Sequence, residues 1–131
     1  KIGFRSLRDG SGEIYVVNVD GTGLLRLTHL TRNPVSSGGT TWSAPAWSPD
    51  GQEILFVRVG WGNSNSEILV MNADGSRQRN LTRNPAPDGD AVWSPDGRKI
   101  LFVSKRDGYG EVYVMNADGS GQRNLARVRG G

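Results

Sequence analysis

The residues that most enzymes use for nucleophilic catalysis are scarce in this sequence. It has no cysteine, and His29 is its one histidine. It has no Gly-x-Ser-x-Gly motif, which in many hydrolases holds the nucleophile on a sharp turn. A nucleophile also needs a base within hydrogen-bond reach, and the sequence offers no convincing pair. We therefore expect no catalytic residue, no cofactor and no enzymatic activity.

Carboxylates are the other groups that could do chemistry here. Glu13, Glu67 and Glu111 occupy the same position in three similar segments, which favours a structural role over a paired acid–base site. Asp88 and Asp90 are close enough in sequence to share a Ca²⁺ ion, but two carboxylates are too few ligands for a calcium site. A small-ligand or calcium site at this point stays an alternative.

A third group of residues has the chemistry of a binding surface. Tryptophan and arginine are enriched at the energetic centres of protein interfaces. Two tryptophans and several arginines lie in polar, glycine-rich segments that are typical of loops, and the two aspartates lie in a similar segment. The candidate binding residues are Trp42, Trp61, Arg8, Arg58, Arg106, Asp88 and Asp90.

These loops belong to a repeated unit. The sequence Trp-Ser-Pro-Asp-Gly occurs at Trp47–Gly51 and again at Trp93–Gly97, and an apolar run follows each copy. Proline presets one turn dihedral and glycine supplies a positive φ, so each copy predicts a tight reversal. The N-terminal segment aligns with the last copy at an offset of 98 residues, but it lacks the Trp-Ser-Pro-Asp-Gly portion. We place the repeats at residues 1–34, 45–83 and 91–127.

Each complete repeat contains four short apolar runs separated by turn sequences. Runs of this length, rich in valine, isoleucine and aromatic residues, are typical of strands. A repeat of about 40–45 residues with four strands indicates a β-propeller blade. The sequence therefore predicts an all-β protein of three antiparallel blades, the first without its innermost strand. Ile54–Val57 is apolar at every position, which predicts a strand buried on both faces between neighbouring blades.

In such a meander, alternate connections lie on opposite faces. The Pro-Asp-Gly and Asp-Gly turns share one face and are short and nearly identical. The connections between strands two and three and between blades share the other face, and they are longer and differ from one another. Because function resides disproportionately on variable loops held by a rigid scaffold, we expect the long-loop face to bind the partner.

Composition limits the class of partner. The chain has 131 residues and a net charge of +3, with acidic and basic residues interspersed. Nucleic-acid binders usually cluster their positive charge, so we expect no nucleic-acid partner. No apolar run approaches the length of a membrane span, which predicts no membrane insertion. No signal peptide is visible, and Lys1 lies within a repeat, so we expect a processed or trimmed chain.

The repeated motifs resemble a known family. Ala46–Gly51 and Val92–Gly97, each followed by an apolar strand, a Val-Met-Asn-Ala-Asp-Gly segment and an Arg-Asn-Leu segment, are similar to the WD-like repeats of TolB-type β-propellers. The resemblance implies a ring of six blades, a periplasmic or secreted location and protein partners in the Tol–Pal envelope system. Related propellers also gate hydrolases, so a substrate-gating fragment is the alternative function.

Three blades do not close a ring of ordinary blades. We expect the free flanks to expose Phe4, Tyr15, Phe102 and Tyr113, and exposed apolar patches of this kind mark interfaces. Cyclic dimers are the commonest closed assemblies, so the sequence predicts a homodimer in which two chains complete six blades.

Overall fold

The chain folds into three antiparallel β-sheets joined by tight turns and loops. The computed structural model describes residues 1–29, 39–41, 43–60 and 65–125. Within those ranges the regular structure consists of strands and contains no helix. We call the three sheets blades 1, 2 and 3 in chain order. The predicted all-β fold class is confirmed.

Blades 1 and 3 have the strand orders that the repeats predict. Each strand pairs with its neighbours in the sequence, so both sheets are simple meanders. Blade 1 has three described strands, β1 (Ile2–Ser6), β2 (Glu13–Val17) and β3 (Leu25–Arg26). Blade 3 has four, β9 (Asp88–Trp93), β10 (Lys99–Ser104), β11 (Glu111–Asn116) and β12 (Arg123–Asn124).

Blade 2 contains a strand that the sequence did not predict. The strands are β4 (Gly39–Thr41), β5 (Ala46–Trp47), β6 (Glu53–Gly60), β7 (Ser66–Asn72) and β8 (Arg79–Asn80). Both β4 and β5 pair with β6, so together they fill the innermost position of the sheet. The repeat bounds leave residues 35–44 as a connector between blades 1 and 2. The longer β6 offers backbone partners to β4 within that connector.

The innermost strand of blade 3 also begins earlier than predicted. The sequence placed Asp88 and Asp90 in a connector before a strand that starts at Ala91. Instead, Asp88 pairs with Ser104, and the register shifts by one residue before Val92 pairs with Leu101. Asp90 lies at this bulge with φ of 52°, a left-handed conformation that aspartate tolerates better than most residues.

The Ser-Pro-Asp-Gly turns form as the sequence predicts. The amide of Gly51 donates to the carbonyl of Ser48 at 2.9 Å, and Gly51 has φ of 73°. Asp50 Oδ1 accepts from the Ser48 hydroxyl at 2.6 Å and from the Gln52 amide at 3.1 Å. The same bonds recur at Ser94–Gly97. Each turn is therefore fixed by its own side chains.

Two hydrophobic clusters lie between the blades. Alternate residues of β6 face opposite ways, so Ile54 and Phe56 pack toward blade 1 while Leu55 and Val57 pack toward blade 3. All four are at most 3% exposed, which confirms the prediction of a strand buried on both faces. Trp47 and Trp93 are partly buried against these clusters.

The prediction that four aromatic residues would face solvent was wrong. Phe102 and Tyr113 are buried between blades 2 and 3, and Tyr15 is 3% exposed on the outer side of blade 1. Phe4 is half-buried, and its ring lies 5.7 Å from that of Tyr15. The Arg8 guanidinium, on the loop after β1, covers both rings. The apolar side chains that remain exposed on the outer side of blade 3 include Val112 and Leu125.

Candidate functional site

A groove between blades 2 and 3 brings together the ends of several strands on the long-loop face. Its volume is about 280 Å³. Apolar walls come from Val57 of β6 and Val103 of β10, while Asp90 and Lys105 contribute charged groups. Asp88 and Ser66 also line it. The lining therefore combines apolar side chains with polar and charged groups that could orient a bound partner.

Asp88 is the most unusual residue of the groove. Its side chain is fully buried, and Oδ1 lies 3.4 Å from Nη2 of Arg106. Its Oδ2 is buried without a hydrogen-bond partner. The Ser66 hydroxyl donates to the Asp88 backbone carbonyl at 2.7 Å and fixes the chain from the blade 2 side. A buried carboxylate oxygen without a donor is costly, so this atom is a ready acceptor for an incoming N–H group.

Asp90 contributes a second carboxylate, two residues further along β9. It is exposed, and the bulge holds its backbone in the left-handed region. Strained backbone of this kind is concentrated at functional sites. The structure therefore places two of the predicted residues, Asp88 and Asp90, in one groove.

Arg106 joins the groove to the aromatic core. Its guanidinium carbon lies 4.7 Å from the ring centroid of Tyr113 and 5.6 Å from that of Phe102. Its Nη1 donates to Gln122 Oε1 at 2.8 Å. Tyr113 in turn donates to Asp107, and burial together with this bond raises the pKa of Tyr113 above its ordinary value. Arg106 is thus held on three sides and positions Asp88.

Two other predicted residues, Arg8 and Arg58, do not line this groove. Arg8 repeats the arginine–aromatic stack in blade 1, with its guanidinium carbon 5.0 Å from the ring centroid of Tyr15. Arg58, in β6, forms an ion pair with Glu67 at 3.2 Å. Trp42 and Trp61 lie outside the described residues.

The repeated glutamates have the structural role that the sequence predicts. Each lies in the third strand position of its blade and accepts a hydrogen bond from the neighbouring strand. Arg26 donates to Glu13, Asn80 to Glu67 and Asn124 to Glu111. These bonds tie β3, β8 and β12 to their sheets, where the strands are only two residues long.

A larger hollow of about 550 Å³ lies on the tight-turn face of blade 2. Its carboxylates already have partners. Asp50 accepts from Ser48 and Asp74 from Ser76 within their turns, and Glu53 pairs with Arg79 at 2.8 Å. Within the described ranges no group of three or more histidine, cysteine, aspartate or glutamate residues could hold a metal ion. The groove with Asp88 is therefore the stronger candidate.

Sequence reasoning missed three features of the groove. Lys105 was not among the candidate binding residues, and Ser66 and the unpaired Asp88 oxygen gave no sequence signal. Asp88 and Arg106 meet because β9 continues past its bulge to pair with the end of β10. Pairing of that kind depends on backbone geometry and not on a residue pattern.

Comparison with known proteins identifies the family. A model described as the TolB beta propeller domain matches residues 30–130. The chain belongs to the TolB β-propeller family. It is 41% identical over 54 residues to the Tol-Pal system protein TolB of Gluconobacter oxydans, covering 41% of this chain and 12% of that protein.

Two solved structures resemble the whole of this TolB-family chain. A putative TolB from Agrobacterium tumefaciens has a TM-score of 0.78 and 27% identity, covering 95% of this chain and 44% of that one. TolB from Acinetobacter baumannii has a TM-score of 0.75 and 25% identity, covering 96% of this chain and 29% of that one. The chain thus spans less than half the length of each of these relatives. Its described residues include no helix long and apolar enough to cross a membrane.

Proposed function

We propose that this TolB-type chain is a non-enzymatic scaffold that binds a partner protein in the groove between blades 2 and 3. The observation that carries the proposal is the buried Asp88 Oδ2, which has no hydrogen-bond partner in a groove on the variable, long-loop face. A partner that donates a hydrogen bond to Asp88 Oδ2 removes the desolvation penalty of this unpaired oxygen. Part of the binding free energy would therefore come from one defined contact.

The groove defines the chemistry of the partner. Asp88 favours a guanidinium, an ammonium or a backbone amide as donor. Val57 and Val103 favour an apolar group beside that donor, and Lys105 favours a carboxylate at the rim. A protein segment that carries a basic residue, an adjacent apolar residue and a nearby carboxylate meets all three conditions, whereas a simple metal ion does not.

We propose a component of the Tol–Pal envelope system as the partner and a periplasmic location for the complex. The support is the similarity to the Tol-Pal system protein TolB of Gluconobacter oxydans, which covers part of this chain. The substrate-gating alternative has no support from a particular residue of the groove.

The experiment measures binding of purified Tol–Pal proteins of Gluconobacter oxydans by biolayer interferometry. Lys105→Glu reverses a rim charge, and we expect it to weaken binding about tenfold. The matched control is Asp118→Asn, an exposed residue in a tight turn on the opposite face. Binding that is absent, or equally weakened by both substitutions, contradicts the proposal.

We also propose that two chains complete the propeller as a homodimer. The outer face of blade 3 carries Leu101, Val112 and Val114 at the repeat positions of three blade 2 residues that pack on blade 3. Those equivalents, Leu55, Ile68 and Val70, are at most 1% exposed. On blade 1, Ile2 and Phe4 occupy the repeat positions of the buried Ile100 and Phe102. The outer face of blade 3 and the outer face of blade 1 therefore carry the same types of residue as the faces by which blades 2 and 3 pack together.

Light scattering tests this assembly. The proposal requires a dimer at micromolar concentration and a monomer for Val112→Asp, because Val112 is 40% exposed on the outer face of blade 3. Val19→Asp is the control, since Val19 is 80% exposed in a tight turn. A stable wild-type monomer contradicts the homodimer and leaves the groove proposal untouched.

A further inference from the structure

Gly89 lies in β9 between Asp88 and Asp90, and the fold itself does not require a glycine there. Its φ is not in the left-handed region, in contrast to that of Asp90. A Cβ atom placed on it would have no described atom within 4 Å beyond its chain neighbours. Glycine inside a strand weakens the strand and often marks a place where a ligand or another backbone approaches closely. Gly89 therefore leaves an open space in the lining of the groove between blades 2 and 3.

The groups that could bind a ligand lie on either side of this open space. Gly89 pairs with Val103, which forms part of the apolar wall of the groove. The unpaired Asp88 Oδ2 belongs to the residue before Gly89, and the exposed Asp90 belongs to the residue after it. A ligand that enters here must therefore present a hydrogen-bond donor and an apolar group close to one another.

The charged residues of the groove favour a ligand that carries both signs of charge. Asp88 and Asp90 are acidic, whereas Lys105 and Arg106 are basic, so the four formal charges cancel. Arg106 already pairs with Asp88 Oδ1, while Asp90 makes no ion pair within the described ranges. A cation beside the two aspartates and a carboxylate beside Lys105 would match this arrangement without adding net charge. Hydrogen bonds between ionised groups are also about twice as strong as those between neutral ones.

The N-terminal residue of a polypeptide supplies the cation and the apolar group from a single Cα atom. An internal lysine or arginine needs a second residue for the apolar contact, and successive side chains of an extended segment point to opposite faces. The groove volume of about 280 Å³ is near the lower end of the range of about 300–1,000 Å³ that is usual for ligand pockets. The groove is therefore suited to one or two residues at a chain end, whose backbone can approach β9 at Gly89.

We propose that the groove between blades 2 and 3 captures the free N-terminus of a partner polypeptide that begins with an apolar residue and has an acidic residue at its second or third position. The α-ammonium group donates to Asp88 Oδ2 and lies beside the carboxylate of Asp90. The first side chain packs against Val57 and Val103, and the acidic side chain pairs with Lys105. Capture of an N-terminal amine is a general mode of peptide recognition. This inference rests on the proposed function of the groove and adds which end of the partner enters it.

Isothermal titration calorimetry with a synthetic hexapeptide tests the proposal. The peptide is Ile-Glu-Gly-Ser-Gly-Ser with an amidated C-terminus, and the control is the same peptide with an acetylated N-terminus. We expect the free peptide to bind the full chain with a Kd below about 1 mM. Acetylation removes the charge of the ammonium group and should weaken binding at least about tenfold. Replacing the first isoleucine with glycine should also weaken binding about tenfold, because the contact with the apolar wall is lost.

Two variants of the groove test the same contacts from the side of the protein. Gly89→Val fills the open space and should weaken binding of the free peptide at least about tenfold. Its thermal midpoint should not fall, because a Cβ atom here meets no described neighbour and valine favours strands. Asp90→Asn keeps the backbone, since asparagine also adopts positive φ, and should weaken the peptide about threefold. Asp118→Asn makes the same change in net charge on the opposite face and should leave the affinity unchanged.

Equal binding of the free and acetylated peptides would overturn the proposal, and so would an absence of binding by the free peptide. Unchanged affinity in Gly89→Val, or equal weakening in Asp90→Asn and Asp118→Asn, would also overturn it. The proposed function is decided separately, by the binding of the whole Tol–Pal proteins and its response to Lys105→Glu. If those proteins bind and the free peptide does not, an internal segment of the partner occupies the groove and the N-terminal inference alone fails.

Discussion

The guanidinium group of Arg106 lies 3.4 Å from the buried carboxylate of Asp88, and the two residues tie the loop after β10 to the start of β9. Asp88 is the fully buried member of the pair, and Arg106 is 19% exposed. The other carboxylate oxygen, Asp88 Oδ2, has no hydrogen-bond partner. The pair with Arg106 is the one ion pair described for this carboxylate. The integrity of the groove therefore depends on Arg106.

Replacing Arg106 with alanine should destabilise the protein by about 3 kcal/mol, because it leaves a buried charge without its counter-ion and removes the stack on Tyr113. Urea unfolding followed by tryptophan fluorescence measures this loss as a shift in the midpoint.

Arg8→Ala provides the comparison. Arg8 stacks on Phe4 and Tyr15 in the same way but is exposed and bonds to the hydroxyl of Ser6. We expect a loss of about 1 kcal/mol or less. Equal losses in the two variants would show that the stack, and not the pair with Asp88, carries the stability.

Replacing glycine with alanine should change the stability of the protein in opposite directions at Gly3 and Gly89. At Gly3 the new Cβ would lie 3.0 Å from Trp47 Nε1, so the substitution overpacks the interface and should cost about 1 kcal/mol. At Gly89 no atom lies within 4 Å of the new Cβ, and a gain of about 0.5 kcal/mol is expected from the reduced entropy of the unfolded chain. Thermal unfolding compares the two. A gain in Gly3→Ala would mean that the indole moves away easily.

The features that the sequence predicts well are those set by neighbouring residues. The Ser48–Gly51 and Ser94–Gly97 turns close through their own serine, aspartate and glycine groups, so the motif is sufficient to predict them. The two-sided burial of β6 also follows from an unbroken apolar run. Repetition multiplies these local signals, which is why the blade architecture could be predicted from one sequence.

The candidate site depends on pairings that no local pattern encodes. The bulge at Asp90 moves Asp88 into β9 and toward Arg106, and the extended end of β6 recruits β4. Tyr15 is buried because Arg8 and the loop after β1 cover it, although its strand position alone predicts exposure. Sequence reasoning therefore found Asp88 and Arg106 as separate candidates but not the ion pair that joins them.

Low pH should lower the stability of the folded protein, because it protonates the aspartates of the tight turns. The Ser120 hydroxyl donates to Asp118, and with the Ser120 amide it lowers the pKa of Asp118 below its ordinary value of 3.8. A lowered folded-state pKa means that the stabilisation is present above the unfolded value and is lost as pH falls through the folded value. Ser120→Ala should raise the pKa of Asp118 toward 3.8 and leave the pKa of Asp74 unchanged. Carbon-detected NMR titration measures both, and an unmoved Asp118 would contradict the assignment.

Glutamine side chains join neighbouring blades with unequal strength. Gln122 Nε2 donates to the carbonyl of Leu81 in blade 2 at 2.8 Å and to that of Gly119 at 2.9 Å. Gln78 makes the equivalent contacts to Leu27 and Gly75 at 3.4 and 3.3 Å. Gln122→Leu should lower the free energy of unfolding by about 2 kcal/mol, because the Leu81 carbonyl loses this donor and Arg106 Nη1 loses its acceptor. Gln78→Leu should lower it by less than about 0.5 kcal/mol. Urea unfolding of the two variants measures the difference. Equal losses would mean that the shorter bonds at the interface of blades 2 and 3 add nothing to the stability of that interface.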